Sequence, residues 1–228
     1  MPSQFSNESG RSSSRRDFLK TSSAVVVSGT LAANAGIARS AHPGGSDTLK
    51  IGLVGCGGRG TGAASNALHA ESNVVLTAMG DVFEKQLTQC LKTLQKEPGV
   101  GEQVKVDPDQ CFVGLDAYQK VIDSGVDVVV LATPPGFRPQ HLAAAVAAGK
   151  HIFCEKPMAT DAPGVRSVLQ SVAKAKEKNI ALVAGFCWRY DYARRAIYDQ
   201  IHEGLIGGIR SIYATYYTSP VKPMKPPE

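Results

Sequence analysis

The stretch Lys50–Gly62, KIGLVGCGGRGTG, decides how the rest of the chain is read. An apolar run, Ile51 to Val54, feeds into Gly55-Cys56-Gly57-Gly58-Arg59-Gly60, which fits G-x-G-x-x-G, and the helix-compatible segment Thr61 to Ala70 follows. The order is strand, glycine turn, helix. In such a unit the first glycine permits the tight turn, the second lets the backbone approach a pyrophosphate, and the third lets helix and strand pack closely. Amides at the start of the helix then receive the anion. Glycine-rich turns are common, so the motif alone leaves a structural turn and a dinucleotide site equally open.

Moving outward, Val74 to Met79 reads as a second buried strand ending at Gly80-Asp81, with Asp81 placed 21 residues beyond Gly60. A carboxylate at that strand end can accept hydrogen bonds from the adenosine ribose hydroxyls and repel a 2′-phosphate, which favours NAD over NADP. The competing role for Asp81 is to cap a helix over Val82 to Lys96, and one residue can do both. Glu97 to Asp109 is a polar loop, Cys111 to Val113 a short third strand, and a helix follows around Asp116 to Ser124. Val126 to Ala132, VDVVVLA, is the near-continuous apolar run of a central parallel strand covered on both faces. It ends in Thr133-Pro134-Pro135-Gly136, at the strand end where a doubly wound sheet binds its ligand. The prolines either stiffen this loop or touch a cofactor.

Gln140 to Ala148 reads as a helix and His151 to Cys154 as a fifth strand that delivers Glu155-Lys156-Pro157. Asp161 caps the next helix, Pro163 sits in its first turn, and Val165, Val168, Leu169 and Val172 are its expected buried stripe. Ala181 to Gly185 supplies a sixth strand, followed by Phe186-Cys187-Trp188-Arg189-Tyr190 and a last helix from about Tyr192 to His202. Gly208 to Thr218 then alternates apolar and polar residues, the period of a half-exposed strand. A single strand cannot bury its own apolar face, so this one is expected either to pair with another molecule or to belong to a fragment of a longer chain.

The 228 residues have ordinary apolar and charged fractions, as in a globular protein. The formal charge is +5, of which the first 35 residues hold +2 (Arg11, Arg15, Arg16 and Lys20 against Glu8 and Asp17), leaving +3 dispersed over the remainder. No basic stripe points to nucleic acid. The five cysteines, Cys56, Cys90, Cys111, Cys154 and Cys187, are odd in number and show no C-x-x-C spacing. They read as small buried hydrophobes rather than disulfides, and no metal-ligand spacing appears. His42, His69, His151 and His202 have no catalytic context.

Residues 1–41 read as a targeting segment with its linker. Ser14-Arg15-Arg16-Asp17-Phe18-Leu19-Lys20 matches the twin-arginine export signal, and the weakly apolar Thr21 to Ala38 follows. A disordered basic tail would not confine its charge ahead of an apolar run. A membrane anchor would need a longer run, free of Ser22, Ser23, Ser28, Gly29, Thr30 and Asn34. The expected destination is the periplasm, reached through the twin-arginine machinery.

Six strands alternating with helices, a glycine turn after the first, an acid after the second and Glu-Lys-Pro after the fifth resemble the glucose–fructose oxidoreductase / inositol dehydrogenase (Gfo/Idh/MocA) family. The resemblance runs from about Thr48 to Thr218, and its most specific piece is Ala147–Pro157, AAGKHIFCEKP. It implies an α/β fold. A doubly wound Rossmann domain would cover residues 48–190, and residues 191–228 would be the connecting helix and first strand of an open-sheet second domain.

The resemblance also implies roles. Gly55, Cys56, Gly57, Gly58, Arg59 and Gly60 would form the dinucleotide turn, with Asp81 at the ribose and Thr133, Pro134 and Pro135 passing the nicotinamide ribose. Glu155 would help place the nicotinamide, and Lys156 would reach the reacting carbon as the catalytic residue. An ammonium there stabilises the alkoxide that develops as hydride leaves an alcohol; without the family pattern, Lys156 reads as a surface lysine in a turn. Cys187 stands where the family often has asparagine, and Arg189 matches a family arginine with a pocket or packing role. His141 lies farther past Thr133 than the family's corresponding histidine, so it is expected on the helix surface or in domain packing. The implied activity is hydride transfer between NAD, rather than NADP, and a sugar, cyclitol or related polyol, by a full-length homo-oligomer with further acid/base residues in its second domain. Two alternatives are a redox-neutral NAD-dependent glycoside hydrolase, against which Glu155-Lys156-Pro157 counts, and a nucleotide-binding fragment without turnover.

Overall fold

The structure is a computed structural model, and it describes residues 48–217. The export signal and linker expected over residues 1–41, and residues 42–47 and 218–228, lie outside the described residues. Six strands, β1 Leu49–Val54, β2 Val74–Asp81, β3 Cys111–Val113, β4 Val128–Leu131, β5 His151–Cys154 and β6 Leu182–Ala184, are interleaved with helices. The helices are α1 Gly58–Ala70, α2 Glu84–Lys96, α3 Ala117–Asp123, α4 Arg138–Ala147, α5 Ala162–Glu177 and, after β6, α6 Tyr192–His202. The strands follow the order β3-β2-β1-β4-β5-β6 with parallel pairings, the Rossmann order. The described residues fall into two compact units, one ending at Ala132 and the other beginning at Thr133.

In the first unit, β1 pairs with β2 on one side and β4 on the other, with Leu53 opposite both Met79 and Val130. The strand order therefore reverses at β1, and the turn that leaves its C-terminal end stands at the switch point. Leu53, Leu76, Met79, Leu94, Ile122 and Leu131 are fully buried, each worth about 2 kcal/mol relative to exposure. Helix α2 starts at Glu84, not Val82, and its N-cap is Phe83, whose side chain caps nothing. Asp81 is therefore not the cap. Its Oδ1 accepts the Phe83 N–H at 2.9 Å, which closes a turn ahead of the helix instead.

In the second unit β5 pairs with β6, and α4 packs against α5. The cap of α5 is as expected: Asp161 Oδ1 accepts the Gly164 N–H at 2.7 Å, with proline in the first turn. Its buried stripe is not. Val168, Ser171 and Ala175 face inward, while Val165, Leu169 and Val172 are exposed. Small side chains at 171 and 175 let the helices approach, so covered positions follow packing space rather than side-chain size. Helix α6 spans the expected residues, is capped by Asp191, which accepts the Arg194 N–H at 2.9 Å, and ends just before Gly204 at φ +85°.

The strand expected from Gly208 is absent up to Tyr217, the last described residue. Its apolar side chains, Ile212, Tyr213, Tyr216 and Tyr217, are exposed. Without a neighbouring strand to take its amides and carbonyls, an alternating sequence has nothing to form a ladder with. Among the described residues, no helix is long and apolar enough to cross a membrane.

Candidate dinucleotide site and the Lys156 turn

The glycine turn is built by contacts that only particular residues allow. Gly55 leaves β1 at φ +94° and donates its N–H to the Gly80 carbonyl at 2.8 Å. A Cβ on Gly60 would stand 1.8 Å from the Gly55 carbonyl oxygen, so α1 approaches the strand end more closely than any side chain permits. At Gly57 and Gly58 an added Cβ would meet nothing within 4 Å. These two glycines line open space. The first turn of a helix presents amides without intrahelical acceptors; Gly57, the N-cap, has no side chain to take them, and the turn carries no acidic residue. An anion suits that position, and a dinucleotide pyrophosphate fits both the open cradle and the donors.

Asp81 completes this half. Its Oδ2 accepts the Cys56 N–H at 2.6 Å, so the carboxylate at the end of β2 is tied into the turn itself. Beneath the turn, the buried Cys56 thiol lies 3.5 Å from the Gly80 carbonyl. A hydrogen bond with Cys90, burial and nearby negative charge raise its pKa and keep it protonated. Arg59 is exposed on the first turn of α1.

In the second unit the loop after β4 and the turn after β5 carry the other expected residues. Thr133 and Pro135 are half-buried and Pro134 is exposed. Helix α4 grips Thr133 twice. Arg138 Nη2 donates to the Thr133 carbonyl, and Thr133 Oγ1 lies 3.2 Å from His141 Nδ1. Arg138 is 1% exposed and His141 5% exposed. Of the two places expected for His141, helix surface or domain packing, the first is overturned: α4 starts at Arg138 rather than Gln140, and this turn of the helix faces inward. Burial, with the Arg138 charge adding to it, lowers the His141 pKa to about 4, so the imidazole is neutral at physiological pH.

Glu155 is 3% exposed, whereas Lys156 is exposed and joined to Pro157 by a cis peptide. A Cβ on Gly185, just past β6, would come within 2.9 Å of both Glu155 carboxylate oxygens. The glycine makes room for the acid. Burial pushes the neighbouring Cys154 thiol up to about 11. Cys187 and Arg189 both lie exposed in a short 3-10 turn, Cys187–Tyr190. The cation that stacks on Trp188 there is Arg194, 3.9 Å from the ring centroid.

Three of these residues escaped the sequence. An arginine beside a proline at a helix start reads as exposed, so Arg138 left no signal; nothing in the spacing marked which turn of α4 faces inward, and Gly185 read only as the end of a strand. Among the described residues, no group of three or more His, Cys, Asp or Glu side chains is arranged to hold a metal ion.

A glycine turn at the reversal of a parallel sheet, with a strand-end carboxylate bound into it, defines a dinucleotide-binding α/β protein. The chain belongs to the oxidoreductase family with an NAD-binding Rossmann fold, GFO_IDH_MocA, whose model matches residues 49–185. It is 27% identical over 182 residues, 80% of this chain and 49% of the relative, to a dTDP-3,4-didehydro-2,6-dideoxy-alpha-D-glucose 3-reductase of Actinomadura kijaniata. An inositol 2-dehydrogenase of Rhizobium meliloti is 31% identical over 169 residues, 74% of this chain and 45% of the relative. Among solved structures, scyllo-inositol dehydrogenase of Lactobacillus casei with bound NAD(H) and scyllo-inositol is 26% identical with a TM-score of 0.57, covering 71% of this chain and 43% of that one. A 3-ketoreductase of Actinomadura kijaniata in complex with TDP-benzene and NADP is also 26% identical, with a TM-score of 0.54, covering 72% and 46%. The chain spans about half the length of the relatives it matches.

Proposed function

We propose that this protein contributes the cofactor half of an NAD-dependent oxidoreductase acting on a CH–OH carbon of a sugar, cyclitol or related polyol. The observation that carries the reading is the Asp81 carboxylate, held at 2.6 Å from the Cys56 amide at the mouth of the glycine turn. Gly57 and Gly58 offer the cradle for a pyrophosphate, and Asp81 accepts from ribose hydroxyls and disfavours a 2′-phosphate, hence NAD before NADP. Bound there, NAD supplies the acceptor or donor of hydride. Thr133, Pro134 and Pro135 would hold the nicotinamide ribose, Glu155 would orient the nicotinamide end, and Cys187 and Arg189 would add contacts there. Lys156 is exposed and unencumbered by burial, and its ammonium stabilises the substrate oxygen as negative charge develops there. Residues 48–190 form the dinucleotide-binding domain, and 191–228 lead into a second domain.

Titration calorimetry with NAD and NADP, followed by incubation with NAD and a panel of inositols and sugars, tests this reading. Expected are NAD binding in preference to NADP, a loss of about tenfold in NAD affinity for Asp81→Ala, and a rise at the reduced-cofactor absorbance band with a member of the panel. An Asp81→Ala variant that binds NAD as tightly as the parent would remove the ribose assignment. The twin-arginine sequence Ser14–Lys20 supports export of the folded protein to the periplasm, and family resemblance supports a homo-oligomer for the full-length form.

A further inference from the structure

Arg138 is the only residue of arginine or lysine type among the largest fully buried side chains of the described residues. Its surroundings are polar at only a few points. Nη2 donates to the Thr133 carbonyl, Nη1 donates to the Pro157 carbonyl at 3.4 Å, and the same Nη1 stands 4.0 Å from Cys154 Sγ. Nε is buried and has no hydrogen-bond partner. Burial lowers the Arg138 pKa, with nearby Cys154 and the buried Glu155 opposing that effect.

Such an arrangement is a poor way to gain stability. Taking a guanidinium out of water costs several kcal/mol, and apolar side chains of similar volume often serve a core as well or better. What an arginine does offer is a rigid planar fork whose two ends reach different acceptors. Here those acceptors are the first residue of the loop after β4 and the residue that follows Lys156. One side chain therefore ties Thr133 to the Glu155-Lys156-Pro157 turn, and it does so from α4, a regular element whose next turn holds the Thr133 hydroxyl through His141.

We propose that Arg138 is a positioning residue: its buried fork fixes the backbone on either side of the site loops so that the Lys156 ammonium is delivered to bound cofactor and substrate. This rests on the proposed role of Lys156. The guanidinium touches neither cofactor nor substrate; it acts through the carbonyl of Pro157. A displacement of about 1 Å in a reacting group can cost on the order of a hundredfold in rate, so a brace of this kind matters far more to the site than to the fold.

The test uses the full chain as parent, Arg138→Lys and Arg138→Gln, with two readouts. NAD affinity is measured by calorimetry, and the acylation rate of each lysine by an amine-reactive ester is followed by peptide mass spectrometry with and without NAD. Lys178 is the internal reference, because its Nζ donates to the Val146 and Ala147 carbonyls at 3.1 and 3.0 Å in the same unit. In the parent, NAD is expected to slow acylation of Lys156. In Arg138→Gln that protection should fall by about tenfold while NAD affinity changes by no more than about threefold, and Arg138→Lys, which keeps the charge and one donor direction, should recover part of it. Unchanged protection of Lys156 in Arg138→Gln overturns the proposal. So does a rise in Lys178 reactivity alongside it, since Arg138 would then be holding the unit together and nothing more. A parent that binds NAD without protecting Lys156 removes the role given to that lysine, and the brace falls with it. A parent that does not bind NAD overturns the dinucleotide reading first.

Discussion

His141 shows how much of a residue's behaviour is decided by what lies two turns of chain away. On its own it is a histidine near the start of an alanine-rich helix; in place it is buried, bound to Thr133 and beside a guanidinium. Its folded pKa, about 4, lies below the ordinary 6.5. The neutral form is the one the fold favours, so its contribution is fully present above pH 6.5 and is lost as pH falls through about 4. The whole effect is on the order of 3 kcal/mol. Thermal unfolding at intervals from pH 7.5 to 4 should show the parent losing stability over that window, with a shallower loss in His141→Asn, which keeps a hydrogen-bonding partner for Thr133 without a titrating ring. Parallel pH profiles for the two proteins would remove His141 as the source.

Positions set by strand order were legible in the sequence. Asp81 stands at the end of β2 and Lys156 two residues past β5, the places the strand order predicted for them. Arg138 and Gly185 could not be read that way, because what distinguishes them is the group they face, and that partner is far away in sequence or unmarked by any period.

Among the elements, the glycine turn separates two kinds of constraint that its sequence merges. Gly60 is required by the fold, with a Cβ 1.8 Å from the Gly55 oxygen, and Gly57 is not. Gly60→Ala should therefore lower stability by about 2–3 kcal/mol or more through overpacking, visible as a drop in denaturation midpoint. Gly57→Ala should leave that midpoint within about 0.5 kcal/mol of the parent and still weaken NAD binding by about tenfold, since its methyl group occupies the space a pyrophosphate needs. A Gly57→Ala protein that binds NAD normally would show that the cradle lies elsewhere. Helix α5 teaches a related lesson. Apolar spacing located the helix and Asp161 located its start, but hydrophobicity could not rank Val165 and Leu169 against Ser171 and Ala175, because covered positions are chosen by the neighbour. The alternating segment from Gly208 failed as a strand for the same reason at larger range: alternation describes a face, and a strand also needs an edge to bond to.

For the whole molecule, the order of elements was readable from β1 to α6. Alternation of short apolar runs with helical periods leaves few topologies for a parallel sheet, and the observed strand order is the one that pattern implies. The last part of the chain is different in character. Helix α6 has no buried residue, and Trp188, Tyr192, Tyr198 and Leu205 are exposed around it. The export proposed from Ser14–Lys20 makes its own demand on the whole: the twin-arginine route handles proteins already folded, so in that proposal the fold and the address are coupled. Replacing Arg15 and Arg16 together by lysine should retain the protein in the cytoplasm, as read by cell fractionation and immunoblotting, while NAD binding by the purified protein stays unchanged. Periplasmic recovery of the twin-lysine form would remove the export assignment.

The hydrogen bond from the Cys56 amide to Asp81 gives one carboxylate two masters. One oxygen steadies the turn and the other steadies the entry to α2, so the side chain proposed to select the cofactor is also scaffold. Selection for a phosphorylated cofactor at position 81 would loosen both attachments in the same step, and a protein that made the change would need a new donor–acceptor tie between the two strand ends to keep its turn in shape.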